Sequence, residues 1–233
     1  LLFNPNFRNS TLKNKKIIQK LCKIKKNKLV DGLLVLKYLD KKNIYLDYYN
    51  NDGTWETFCA NGLRCAALYI YNKFKISKLV ITCGDGVHQT KKNGNNISTS
   101  MPKPQYKDNK ISMHDIEGYF INSGANHFVL PLQKKYKNKN AMIELAQKIR
   151  YSKDIFPNGV NVNFYQIYNR KMIKVRTYEK GIEKIVDSCA SGSFACAYHL
   201  SKNKLINKNI TALNLGGELK IKFSKNFNNN IIT

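Results

Sequence analysis

Two cysteines in this chain stand at the head of near-duplicate segments. Cys59-Ala60-Asn61-Gly62 runs into LRCAALYIYNK, and Cys189-Ala190-Ser191-Gly192 runs into SFACAYHLSKNK. In each, a thiol precedes a small, polar, glycine-containing turn that opens into a helix-like run. A helix start offers backbone N–H groups that favour a thiolate there. Two such thiols suit proton transfer at one carbon without an electron-sink cofactor. One removes the α-proton from one face and the other supplies a proton to the opposite face, so the configuration inverts. A thiol pKa of about 8.5 can be tuned toward neutrality for either role. Charge developing on an α-carboxylate would be held by backbone N–H groups at two helix N-termini, those of Ala60-Asn61 and Ala190-Ser191. No glycine-rich nucleotide loop and no lysine context for pyridoxal phosphate is present, so no cofactor is expected. A redox pair is the other reading of two facing thiols.

The remaining cysteines, Cys22, Cys65, Cys83 and Cys196, lie in apolar or strand contexts and read as small buried hydrophobes. There is no C-x-x-C pair and no Cys/His cluster with zinc spacing, so no metal is expected. Reduced thiols in a cytoplasm are the default for a chain of this length.

The elements that must position the two loops repeat as well. Residues 44–104 and 173–233 share one order: strand, polar turn, Cys loop, helix, Gly-turn hairpin. IYLDYYNNDG and IKVRTYEKG occupy equivalent places ahead of the loops. ITCGDGVHQTKKNGNN and ALNLGGELKIKFSKNFNNN do so after them. Alternation and turn signals predict strands at 33–38, 44–49, 78–83, 87–90, 97–101, 119–123, 128–132, 160–167, 172–178, 210–215 and 218–223. Helical spacing predicts helices at 11–25, 62–73 and 141–150, and from the Cys189 loop to about residue 203. The polar stretch 102–109, with Pro102 and Pro104, suits a linker. The expected fold is α/β (α+β), with two pseudo-symmetric domains from an internal duplication, residues 1–107 and 108–233. Equivalent loops would then face one cleft between them.

Composition allows this and narrows the partners. At 42% hydrophobic and 11% aromatic, the 233 residues can bury a core. No apolar run approaches the roughly 20 residues of a membrane span, so no membrane partner is expected. The net charge of +25 comes from 35 Lys and 5 Arg against 15 acidic residues. Scattered Lys with little Arg fits codon drift better than a nucleic-acid reader, which favours bidentate Arg. The chain opens on Leu1, and truncation at both ends is expected.

The combined motifs resemble the diaminopimelate epimerase family over nearly the whole chain. FCANGLRC is similar to that family's C-G-N-G-x-R-C signature, and SCASG to its second, C-G-T-G. YYNNDGT resembles N-x-D-G-S, SGANH resembles G-N-P-H, GVNVNF matches the second asparagine strand, and VRTYEKG resembles R-x-Y-E-R-G. The resemblance implies a cofactor-independent epimerase, each domain a curved sheet or barrel around a central helix. It would interconvert LL- and meso-2,6-diaminopimelate in lysine and peptidoglycan precursor synthesis, as a cytoplasmic homodimer. It implies Cys59 and Cys189 as the acid/base pair, Cys59 donating and Cys189 accepting in one direction. Asn50, Asn161 and the backbone at Ala60, Asn61, Ala190 and Ser191 would bind substrate. His127 and Glu179 would tune the cysteines or orient substrate, and Lys180 would meet the distal carboxylate.

The chain departs from the family pattern at four positions. Alanine replaces the glycine after each cysteine, at Ala60 and Ala190, and alanine resists a positive φ. Ala125 stands for an asparagine, and Lys180 for an arginine, which loses bidentate carboxylate recognition. A racemase or epimerase of another amino acid is therefore one alternative. A non-catalytic, basic nucleic-acid-binding relic is another.

Overall fold

The computed structural model describes residues 2–3, 14–24, 28–136 and 138–233. Residues 11–13 and 25 of the expected first helix lie outside these. The chain forms two compact units, Leu1–Ser100 and Met101–Thr233.

The first unit contains β1 (Leu2–Phe3), α1 (Lys15–Cys22), β2 (Lys23–Ile24), β3 (Lys28–Leu29), β4 (Gly32–Tyr38) and β5 (Asn43–Asn50). It continues through β6 (Trp55–Glu56), α2 (Ala60–Phe74), β7 (Lys78–Cys83), β8 (Gly86–Asn93) and β9 (Asn96–Met101). The strand order is β1-β4-β5-β7-β8-β9, with β6 on β5 and a separate β2-β3 pair. Period-two alternation in β5 buries Ile44, Leu46, Tyr48 and Asn50 together. α2 packs on β4, β7 and β8. It buries Leu63, Ala66, Ala67, Ile70 and Tyr71 at helical spacing. Cys65 points the other way and is exposed, so the expectation of a buried Cys65 fails. Its neighbours are apolar, but it sits off the buried stripe.

The second unit contains β10 (Gln105–Met113), β11 (Ile116–Asn122), β12 (Asn126–Pro131), α3 (Lys139–Arg150), β13 (Asn161–Asn169) and β14 (Met172–Glu179). It ends with β15 (Lys184–Val186), α4 (Ala190–Lys202), β16 (Asn209–Asn214), β17 (Gly217–Lys222) and β18 (Asn230–Ile232). Its order is β18-β17-β16-β14-β13-β12-β11-β10, with β15 on β14. The stretch read as a linker mostly enters β10, whose residues pair with β11 from Gln105 onward. Hydrogen bonding to a neighbouring strand overrides its polar composition. A core of Phe128, Leu130, Leu145, Ile149, Phe156 and Phe164 sits between α3 and the sheet. α4 is buried from Ala190 to Ser201, against β12, β13, β14, β16 and β17. A helix apolar or small all round is what a central position requires.

The duplication is visible in the pairing. β5 pairs antiparallel with β6 and parallel with β7. β14 does the same with β15 and β16. Each cysteine loop thus follows a short return strand and enters a helix packed on its own sheet. Among the described residues, no helix is long and apolar enough to cross a membrane.

Candidate active site

Cys59 and Cys189 occupy the same local position. Each is the N-cap of its helix, with φ −136 and ψ 103 for Cys59 and φ −126 and ψ 109 for Cys189. Cys59 accepts a bond at Sγ from the Gly62 N–H, 3.3 Å away. Cys189 has no such cap bond, and its sulfur lies 3.6 Å from Ser191 Oγ. Cys189 is buried and Cys59 partly so.

Ala60 and Ala190 are the first residues of α2 and α4, and neither has a positive φ. The methyl is therefore compatible with this tight loop. At the first helical position alanine adopts ordinary helical angles and keeps its N–H. Both are buried, at 2% and 1% exposure. The first-turn N–H groups of a helix point out along its axis and carry about half a positive charge.

A glycine at the third helical position lets each helix start approach its sheet. A Cβ on Gly62 would lie 2.8 Å from Leu34 Cδ2 and 3.4 Å from Tyr48 Cδ2. A Cβ on Gly192 would lie 2.1 Å from Asn163 Oδ1 and 3.1 Å from Thr177 Oγ1. Leu34 pairs with Tyr48 across β4 and β5. Asn163 pairs with Thr177 across β13 and β14. The same cross-strand pair lies beneath both cysteine loops, apolar in the first unit and polar in the second.

The polar version builds a network. Thr177 Oγ1 donates to Asn163 Oδ1 at 2.9 Å, and Asn163 Nδ2 lies 3.0 Å from His127 Nδ1. The Asn161 and Phe128 carbonyls beside Nδ2 only accept and so set the amide orientation: Asn163 donates to Nδ1 and the ring proton belongs on Nε2. His127 is fully buried, and its Nε2 has no hydrogen-bond partner among the described residues. Desolvation outweighs the Asn163 bond and pulls His127 down to about 3, so it is neutral at physiological pH. Asn163 also approaches the Asn161 carbonyl at 3.2 Å.

Asn161 links this network to the end of β14. Its Nδ2 donates to the Asn126 carbonyl at 3.1 Å, and its Oδ1 accepts from the Lys180 N–H at 2.9 Å. Glu179 ends β14, opposite Lys184 of β15, and its carbonyl accepts from Glu183 N at 2.8 Å. Ser123 Oγ donates to the Ser191 carbonyl at 2.9 Å, tying the turn before β12 to the Cys189 loop. Asn161, His127 and the Cys189 loop are thus brought together through shared partners, with the Glu179-Lys180 corner held by Asn161.

In the first unit, Asn50 ends β5 on its buried face, 2% exposed. Its Nδ2 donates to Thr54 Oγ1 at 3.1 Å and Glu56 Oε1 at 3.2 Å. The turn after it needs Gly53, at φ 84. Asn61 Oδ1 accepts from Arg64 Nη2 at 2.8 Å within the first turn of α2.

Sequence reasoning missed Asn163, Thr177 and Glu56. Asn163 had a signal: it lies two residues beyond Asn161, so both asparagines share one strand face. Glu56 and Thr177 had none, since one reads as a turn acid and the other as an ordinary strand residue.

The profile of the family described as Diaminopimelate epimerase matches residues 119–233. A diaminopimelate epimerase of Aquifex aeolicus is 31% identical over 229 residues, covering 93% of this chain and 80% of the relative. One from Flavobacterium psychrophilum is 32% identical over 215 residues, covering 91% and 81%. Among solved structures, a hydroxyproline epimerase from Agrobacterium vitis superposes with a TM-score of 0.68 at 11% identity, covering 86% of this chain and 70% of that one. A PhzF-family phenazine biosynthesis protein from Enterococcus faecalis gives 0.68 at 14% identity, covering 99% and 86%. These two likenesses are of fold alone.

Proposed function

The chain belongs to the diaminopimelate epimerase family, and from that premise we propose that it interconverts LL- and meso-2,6-diaminopimelate with Cys59 and Cys189 as the two bases. It is an isomerase, an epimerase by kinship. The observation that carries the mechanism is the matched pair of N-cap cysteines, with closely similar backbone angles, at the head of two duplicated helices.

In one direction the Cys189 thiolate removes the α-proton. The C–H bond breaks, an S–H bond forms, and the electron pair moves into the α-carboxylate as an enediolate. Cys59 then gives its thiol proton to the opposite face of the carbon. The enzyme is left with thiol and thiolate exchanged, ready for the reverse reaction or for proton exchange with solvent. First-turn N–H groups at Ala60-Asn61 and Ala190-Ser191 stabilise the carboxylate as its charge grows. No step requires an electron sink such as pyridoxal phosphate.

The supporting residues take roles that fit their surroundings. His127, neutral, offers an Nε2–H donor from a dry site, and in that state it acts as a hydrogen-bond donor, not as a charge. Asn161 keeps one amide hydrogen and one lone pair beyond its bonds to Asn126 and Lys180, enough for one substrate group. Asn50 spends both amide hydrogens on Thr54 and Glu56, and offers its Oδ1 as an acceptor from the end of β5. Lys180 meets the distal carboxylate as a point charge, with Glu179 beside it. The reading carries with it lysine and peptidoglycan precursor synthesis, a cytoplasmic setting and a homodimer.

The test is α-proton exchange of diaminopimelate in D₂O, followed by NMR. Cys59→Ala and Cys189→Ala should each abolish turnover while circular dichroism stays unchanged. Normal exchange in both variants would remove the two-base reading. Ala125 and Lys180 set a second arm, a panel of other L-amino acids, on which the wild type should show no racemisation.

A further inference from the structure

The hairpin that joins β7 to β8 carries three donor side chains for which epimerisation has no use. Cys83 ends β7 and pairs with Gly86, and His88 pairs with Ile81. Strand alternation places Cys83 and His88 on the buried face, 6% and 2% exposed. Asp85 lies in the turn between them, and its Oδ1 is 3.0 Å from His88 Nε2. The sulfur, carboxylate oxygen and imidazole nitrogen all lie within 4.8 Å of one another.

Hydrogen bonding around His88 is incomplete without a further positive charge. Its Nδ1 lies 3.0 Å from the Ser100 carbonyl, which only accepts, so Nδ1 carries a hydrogen. Its Nε2 faces the Asp85 carboxylate, again an acceptor. Only a second ring proton, or a cation held at Nε2, satisfies both sides. Asp85 Oδ2 is buried with no hydrogen-bond partner among the described residues, a costly state for a carboxylate oxygen. Phe58 stacks on the imidazole at 4.6 Å and 13°, fixing the ring plane.

We propose that Cys83, Asp85 and His88 form a binding site for a divalent cation of the zinc class. A thiolate, an imidazole and a carboxylate suit a borderline-soft ion, and three protein ligands leave a fourth position for water. On binding, a Zn–S bond replaces the Cys83 S–H bond and a Zn–N bond replaces the second His88 N–H. Both protons leave to solvent. Thiol, imidazolium and carboxylate are neutral together, and so are thiolate, imidazole, carboxylate and Zn²⁺. The exchange therefore leaves no net charge in a buried place.

The duplication isolates the feature. In the equivalent hairpin of the second unit, Asn214 pairs with Gly217 and Ala212 with Leu219. Asn214 and Leu219 thus stand where Cys83 and His88 stand in the first unit. The C-x-D-x-x-H spacing matches no common zinc pattern, and only the hairpin brings its members together. The turn also leans on the approach to Cys59. A Cβ on Gly84 would meet Trp55 Cζ2 at 2.7 Å, and Asp85 N donates to the Thr57 carbonyl at 3.2 Å. A bound cation would steady the segment leading into α2.

The experiment is titration of the full chain with Co²⁺, read by the sulfur-to-cobalt charge-transfer band, and with Zn²⁺, read by thermal unfolding. Wild type should take one equivalent with the band and unfold at a higher temperature with Zn²⁺. Cys83→Asn and His88→Leu install the second unit's residues at these positions, and each should weaken binding by at least about 10-fold. Asp85→Asn, a milder change in the turn, should do the same. Cys59→Ala should keep the band. The proposal is overturned if wild type shows no band. It is equally overturned if the band survives in Cys83→Asn or Asp85→Asn and is lost in Cys59→Ala.

Discussion

Gly192→Ala tests the packing of α4 on its polar bed. The added Cβ would stand 2.1 Å from Asn163 Oδ1, whereas ordinary contact begins at 3.4 Å. The amide must retreat by roughly the difference, about 1.3 Å, from a site with 0% exposure. That motion breaks the 2.9 Å bond from Thr177 and strains the 3.0 Å bond to His127. Two buried hydrogen bonds at about 1–1.5 kcal/mol each give a loss of about 2–3 kcal/mol. Removing a glycine from a helix returns up to about 1 kcal/mol, leaving a net loss of about 2 kcal/mol. Gly62→Ala is the control, because its Cβ meets the end of a rotatable leucine at 2.8 Å. It should cost under about 1 kcal/mol after the same return. Urea unfolding of both variants measures the difference. Asn163→Ala in the Gly192→Ala background should add little, because the bonds it removes are already disrupted. Equal losses in Gly62→Ala and Gly192→Ala, or full additivity in the double variant, would refute the reasoning.

Acid should destabilise the protein through His127. Its folded pKa of about 3 lies below the unfolded value of about 6.5. Between these values the unfolded state binds more protons, so stability falls as pH drops below about 6.5. From pH 7 to pH 5 the loss is about 2 kcal/mol. Urea unfolding of His127→Gln should lack this part of the pH dependence, and an unchanged profile would contradict the burial argument. Gly53→Ala forces a side chain into φ 84, 2.7 Å from the Lys15 carbonyl. It should cost at least about 1 kcal/mol, read as a lower midpoint in thermal unfolding. Asn161→Ala removes the bonds to Asn126 and to the Lys180 N–H, and should raise KM for diaminopimelate more than it lowers kcat.

Much of the first-order structure is written in short-range patterns. The duplicated loops, the alternation of β5 and the turn at Gly53 follow from rules that act within a few residues, and the elements appear where those rules put them. The polar stretch after Met101 shows where such rules stop. Its composition reads as a linker, yet its backbone is drawn into β10 by a partner strand. Cys65 reads as buried from its neighbours, and only the orientation of α2 on the sheet exposes it. The alanines after the cysteines would resist a positive-φ turn. Their place at the first position of each helix removes the conflict.

Sequence by itself determined the duplication, the two cysteine loops and the family, because each is carried by residue identity and spacing along the chain. Tertiary structure decided what lies beneath and beside those loops. The Asn163–His127–Thr177 network under Gly192, the apolar pair under Gly62 and the Cys83–Asp85–His88 cluster all join residues from different strands or across a turn. Their meeting depends on strand register and on how closely a helix start can approach its sheet. Those are properties of packing, which no local pattern encodes.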